Sequence, residues 1–182
     1  MEDRIGRELR RNQLATRMVS HKARTQTICD YTGLARERIK TLRRDWHVAS
    51  DQRHRGPSPS SVSVFFRSAH MRSEASALGV ICRVLGAVGP QPIADAARRY
   101  PNLERGEQLC DVYEAFRTYF PKSQVSFEQI VLLAVGMAQG DVLRLEICPG
   151  CNAVILADRL AAAQRLCARC QRDEAPVVGG CG

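Results

Sequence analysis

Apolar residues recur along most of this chain at intervals of three and four, the period of a helix with one buried face. From residue 5 to residue 24, Ile5, Leu9, Leu14, Ala15, Met18, Val19 and Ala23 form such a stripe with Arg and Lys between them. The pattern predicts one long amphipathic helix, or two joined, with this stripe facing a core. Residues 25 to 46 repeat the period but interrupt it at Thr32-Gly33-Leu34. A short helix would turn Ile28 and Cys29 inward, Gly33 would take a left-handed turn, and Leu34 would plug the corner. A second helix from Ala35 to about Trp46 would then bury Ile39 and Leu42, with Trp46 closing the small core. This is the layout of a helix-turn-helix.

The period lapses in RHRGPSPSSVS, residues 53 to 63, where Gly, two prolines and several serines resist regular structure. The sequence therefore divides into a basic helical head over 1–56 and a linker over 57–68. Arg53, His54 and Arg55 read as a solvated stretch at their junction, with a flexible phosphate-touching arm as the other reading. A helical body over 69–141 follows. Ala75, Leu78, Ile81, Cys82, Leu85 and Val88 form one stripe that ends at Gly89-Pro90. Pro92 suits an early position of a short helix reaching Tyr100, where Pro101 stops it. A helix from about Glu104 to Phe120 buries Leu109, Val112, Tyr113 and Phe116. Ser126 and Gln129 make a capping box ahead of the apolar run Ile130 to Ala138. At nine residues that run is far short of the roughly 18 a membrane span needs.

The period then shortens to two. Leu143, Leu145 and Ile147 alternate with Arg144 and Glu146, which predicts a strand, and Val154-Ile155-Leu156 offers its return partner. Asp158 to Leu166 is helix-prone and would deliver Cys167. Within this last region, 142–172, Cys148-Pro149-Gly150-Cys151 is answered by Cys167-Ala168-Arg169-Cys170. Each Cys-x-x-Cys pair wraps one edge of a tetrahedron, and the intervening chain returns for the other edge. Four thiolates would close the coordination sphere of Zn2+ and leave no position for water, so the site is expected to be structural. An iron–sulfur cluster is the other occupant of such a donor set. A thioredoxin-like redox pair fits less well, because that needs one pair at a helix start in a βαβ unit. Residues 173–182 read as a flexible tail, with Cys181 an exposed thiol and a spare metal ligand as its other reading. Cys29, Cys82 and Cys110 sit among apolar residues and read as buried, inert thiols.

The charge is uneven. The net charge is +8, and residues 1–56 hold fourteen Lys and Arg against seven Asp and Glu, while the remainder holds thirteen against twelve. A concentrated basic segment suits a polyanion, most often nucleic acid, with a solvated helix face as the plain alternative. On the second helix of the head, Arg36, Glu37, Lys40, Thr41 and Arg44 lie opposite Ile39 and Leu42, placed to enter a major groove. Arg38 and Arg43 lie nearer the flanks and suit backbone phosphates. An ordinary helical hairpin with a charged exterior fits the same pattern. His21, His47, His54 and His70 have no carboxylate or thiol at ligand spacing and read as surface or packing residues. No Ser/His/Asp or Cys/His constellation, phosphate-cradling glycine loop or carboxylate pair is present in a plausible setting, so no enzyme is expected. Met1 to Arg11 alternates charge without an apolar core, so no secretory signal is expected and the expected location is cytoplasmic.

Taken in order, these parts resemble the flagellar transcriptional activator FlhC family. The resemblance rests on Gln13-Leu14-Ala15, Met18, Ala23-Arg24, the stretch from Thr32 to Arg38, the Gly/Pro/Ser connection, the Ala- and Tyr-rich middle and the final four cysteines. It implies zinc on Cys148, Cys151, Cys167 and Cys170. It also implies sequence-specific binding to double-stranded promoter DNA in a hetero-oligomer with an FlhD-like partner, and recruitment of RNA polymerase to flagellar operons. The fold expected is mostly α, with a helix-turn-helix-like head, a helical middle and a small C-terminal zinc-ribbon-like site of four cysteines. The rival function is a zinc-stabilised module that binds protein or RNA without reading DNA sequence.

Overall fold

A computed structural model describes residues 3–46, 59–89, 100–160 and 166–173. Among these the chain is mostly helical: α1 Arg4–Ser20, α2 Thr25–Thr32, α3 Arg36–Asp45, a 3-10 turn Val62–Phe66, α4 Ala69–Val84, α5 Leu103–Tyr119 and α6 Phe127–Gln139. The strands β1 Leu143–Ile147 and β2 Val154–Asp158 pair antiparallel, with Leu145 opposite Leu156, and α7 Ala168–Asp173 follows. The capping box forms as expected: Ser126 accepts from the Gln129 amide while the Gln129 side chain accepts from the Ser126 amide. The helix-prone residues ahead of Cys167 lie partly outside the described residues. Arg159 and Leu160 form a turn, and the helix starts one residue after Cys167. The expected Pro92–Tyr100 helix, the Arg53–Arg55 stretch, His47, His54 and the tail with Cys181 also lie outside them.

One hydrophobic cluster runs from Leu14 on α1 to Leu156 on β2, so the basic head and the helical body share a core rather than meeting across a linker. α1 packs on α2, α3 and α5, while α4 packs on α5, α6 and β2. Within the span 57–68 expected as a linker, Val62–Phe66 are ordered as the 3-10 turn. The turn inserts a fully buried Phe65 against α4 and α6. Proline and serine in residues 57–61 mask this, because the apolar group Val62-Ser63-Val64-Phe65-Phe66 that follows is too short to show a period.

α1 and α5 run parallel. Arg10 makes paired hydrogen bonds to Glu107 at 2.7 and 2.6 Å, and Arg17 makes the same pair to Glu114, seven residues on along each helix. Each guanidinium holds its partner carboxyl below the usual carboxylate range through these hydrogen bonds. Exposed ion pairs of this kind contribute at most about 1 kcal/mol each, so their role is to fix register. The close approach of the two helices is supplied by Gly106, next to Glu107, where a Cβ would come within 2.7 Å of Leu14 Cδ2. His21 Nε2 lies 2.8 Å from Glu114, and the ring stacks on Phe127 and packs tilted against Tyr113. Burial lowers the imidazole's pKa. His70 Nε2 lies 3.2 Å from the buried Glu74. Two histidines expected to lack carboxylates therefore have them, one from the distant α5 and one a single helical turn away.

Expectations about exposure fail at three places, the first being Leu85, which stands just past the end of α4 and is 38% exposed. Ile5 and Leu9 are 79% and 58% exposed, so the first turns of α1 lie outside the core that begins at Leu14. Trp46 is 55% exposed at the end of α3 and does not close the core.

The head is also joined to the body by a buried carboxylate. α2 has no side-chain cap of its own, since Arg24 stands at its N-cap. Instead Glu128 on α6 accepts from the Arg24 amide at 2.7 Å and from the Thr27 hydroxyl at 2.7 and 3.0 Å. Glu128→Ala strands an amide and a hydroxyl in an apolar setting, which typically costs about 1–3 kcal/mol. Urea denaturation is expected to show that loss, with Glu128→Gln recovering part of it. An unchanged midpoint for Glu128→Ala would mean the cap contributes nothing.

Candidate metal centre and helix-turn-helix face

The hairpin delivers the first two sulfurs. Cys148 follows β1 directly, and its amide donates to Ala153 O at 2.8 Å while its carbonyl accepts from the Asn152 amide at 2.8 Å. The turn closes with Asn152 at φ 58°, in the left-handed region that asparagine tolerates. The second pair opens α7, where the Cys170 amide donates to Cys167 Sγ at 3.3 Å. The two halves meet through the Cys167 amide, which donates to Cys148 Sγ at 3.2 Å. Gly150 permits this contact, because a Cβ there would sit 3.0 Å from Cys170 Sγ.

All four Sγ atoms lie within 4.8 Å of one another, and Cys151 and Cys167 are 3.6 Å apart. A tetrahedral ion with metal–sulfur bonds of about 2.3 Å sets its sulfurs about 3.8 Å apart, so the donor set fits a single ion. The electrostatics agree. Amide donors led by that of Cys167 pull the Cys148 thiol down to about 6, whereas the neighbouring Cys167 and Cys151 sulfurs push Cys170 up to about 12. Four sulfurs this close cannot all carry charge without a cation among them, and a divalent ion removes the conflict. The other cysteines are different. Burial pushes Cys82 and Cys110 up to about 12, and Cys29, half-buried, is also raised by burial, which fits inert packing.

The metal loops border a groove of about 1060 Å³ against α4, lined among others by Ser73, Ala77, Val154, Cys151, Cys167 and Cys170. Cys148 is fully buried and does not line it.

α2, Gly33 and α3 form the helix-turn-helix. Gly33 has φ 69°, and Pro101 would meet any Cβ there at 3.2 Å. Ile39 and Leu42 are buried against α1 and α2, which leaves one face of α3 outward. On that face Arg36 is exposed and donates to Gln26 on α2. Arg38 donates to Asn12 at 3.0 Å, and Lys40 pairs with Glu37 at 2.8 Å. Thr41 is half-buried, its hydroxyl returned to Glu37 O at 3.1 Å. The Arg44 side chain is 78% exposed. Arg43 is a correction to the sequence reading: it is buried, and its guanidinium donates to Ala23 O at 2.5 Å. It braces α3 on the turn after α1 and is not available to a phosphate. Its spacing signals this, since position 43 follows Ile39 by four residues on the inward stripe.

No family model matches this chain, and no curated protein matches it. No helix among the described residues is long and apolar enough to cross a membrane.

Proposed function

We propose that the chain is a sequence-specific DNA-binding transcriptional activator with a structural zinc ion on Cys148, Cys151, Cys167 and Cys170. The observation that carries the DNA reading is the outward face of α3, where Arg36, Arg38, Lys40 and Arg44 stand on a helix whose opposite face is locked to α1 and α2. A rigidly held helix with one cationic face suits a major groove. In this reading Arg36, near the start of the helix, donates to guanine O6 and N7, and Glu37 accepts from a cytosine amino group. Lys40, Arg38 and Arg44 grip phosphates and set the register. Zinc is favoured by four thiolates spaced for one tetrahedral ion with no open position. The resemblance to the FlhC family supplies the biological setting: a cytoplasmic regulator that joins an FlhD-like partner and recruits RNA polymerase to flagellar promoters. It acts by binding rather than by catalysis.

Gel-shift titrations across a salt series test the DNA reading. Arg36→Ala is expected to weaken specific binding by about 1–3 kcal/mol more than non-specific binding. Arg44→Ala is expected to weaken both alike and to lower the salt slope by about one unit. Binding of RNA or acidic protein with no preference among duplex sequences, with or without a helical partner, would instead favour an interaction module.

A further inference from the structure

We infer that the sulfur cluster is also a site of hydroperoxide modification, in which Cys151 and Cys167 form a disulfide that joins the two metal loops. The inference rests on the metal-site reading and adds a second chemistry to the same four residues. Three observations converge on this pair. The two sulfurs are 3.6 Å apart, within a short movement of the roughly 2.0 Å of a disulfide. Both line the wide groove beside α4, which gives a small hydroperoxide a path to them. Cys148, the sequence neighbour that would otherwise be the natural partner of Cys151, is fully buried and walled off from that groove.

The chemistry balances. The Cys151 thiolate attacks the peroxide oxygen, the O–O bond breaks, and the alkoxide leaves as alcohol after taking a proton from solvent. Cys167 then attacks the Cys151 sulfenic sulfur, and hydroxide departs as water with a second proton. Two electrons leave the sulfur pair, and one hydroperoxide is reduced. Only Cys148 and Cys170 remain as thiolate ligands, too few to hold an ion tightly. A disulfide within each Cys-x-x-Cys pair would free the two loops from each other. The Cys151–Cys167 bond instead keeps α7 tethered to the hairpin after the ion has gone.

The test uses the full-length protein, with elemental analysis first to establish its metal content. Metal-loaded protein is treated with tert-butyl hydroperoxide while a chromogenic chelator reports released ion, and the products are digested with trypsin under non-reducing conditions. Cleavage after Arg144, Arg159, Arg165, Arg169 and Arg172 puts Cys148 and Cys151 on one peptide, and Cys167 and Cys170 each on its own. The expected result is loss of the ion, restored by dithiothreitol and added metal, with a first disulfide joining Leu145–Arg159 to Leu166–Arg169 and assigned to Cys151 by fragmentation. A first product joining Cys148 to Cys151, or an ion retained through a large excess of hydroperoxide, overturns the inference. Protein that holds no ion beforehand defeats the metal reading instead, and the same peptide map still shows which sulfurs couple.

Discussion

Cys148→Ser is expected to abolish stoichiometric metal binding, weakening affinity by more than about 100-fold, since even supporting contacts around a metal typically contribute 10- to 100-fold. Cys148 does more than donate one sulfur. It is the buried sulfur of the four, it accepts the amide that docks the second loop on the first, and its own backbone closes the hairpin turn. Its loss should therefore release α7 from α4 and speed hydrogen exchange in β1 and β2, with smaller effects on α1 and α5, which touch none of the sulfurs. Elemental analysis after gel filtration, together with exchange mass spectrometry, reads both effects. Retention of one ion per chain by the variant would show that the four sulfurs do not act as one site.

Phe65→Ala should destabilise the fold by about 3–5 kcal/mol, the usual cost of emptying a buried aromatic site. The ring is fully buried, and the turn that carries it touches both α4 and α6. The adjacent Phe66, only partly buried, provides the comparison and should cost distinctly less. Urea denaturation reads the difference. A Phe65→Ala variant within about 0.5 kcal/mol of the parent would mean that the 3-10 turn hangs off the body rather than belonging to it.

What the sequence disclosed and what it withheld divide along physical lines. Features set by neighbours a few residues apart were mostly legible, the His70–Glu74 pair excepted: the helix stripes, the Ser126 capping box, Gly33 in its left-handed turn, the strand alternation and the spacing of the four cysteines. Features set by partners far along the chain were not. Nothing local announces that Glu128 caps α2, that Glu114 meets His21, or that the core leaves Ile5 and Leu9 exposed. Arg43 lies between these cases. Its position on the inward stripe is visible, but its charge argues for solvent until Ala23 O is seen to accept from it. The sulfur cluster was legible as a set of ligands, yet the inequality among its members, one sealed and three facing a groove, depends on how α4 passes beside the loops.

The Glu128 contact also sets an order of events during synthesis. The carboxylate that completes the start of α2 lies 104 residues beyond the amide it receives. Any nascent chain shorter than 128 residues therefore lacks it, and the arginine-bearing hairpin emerges from the ribosome before the group that finishes it exists. On the proposed DNA reading, a polyanion meeting the growing polypeptide would encounter a hairpin still lacking its cap, which arrives only once most of the protein has been made.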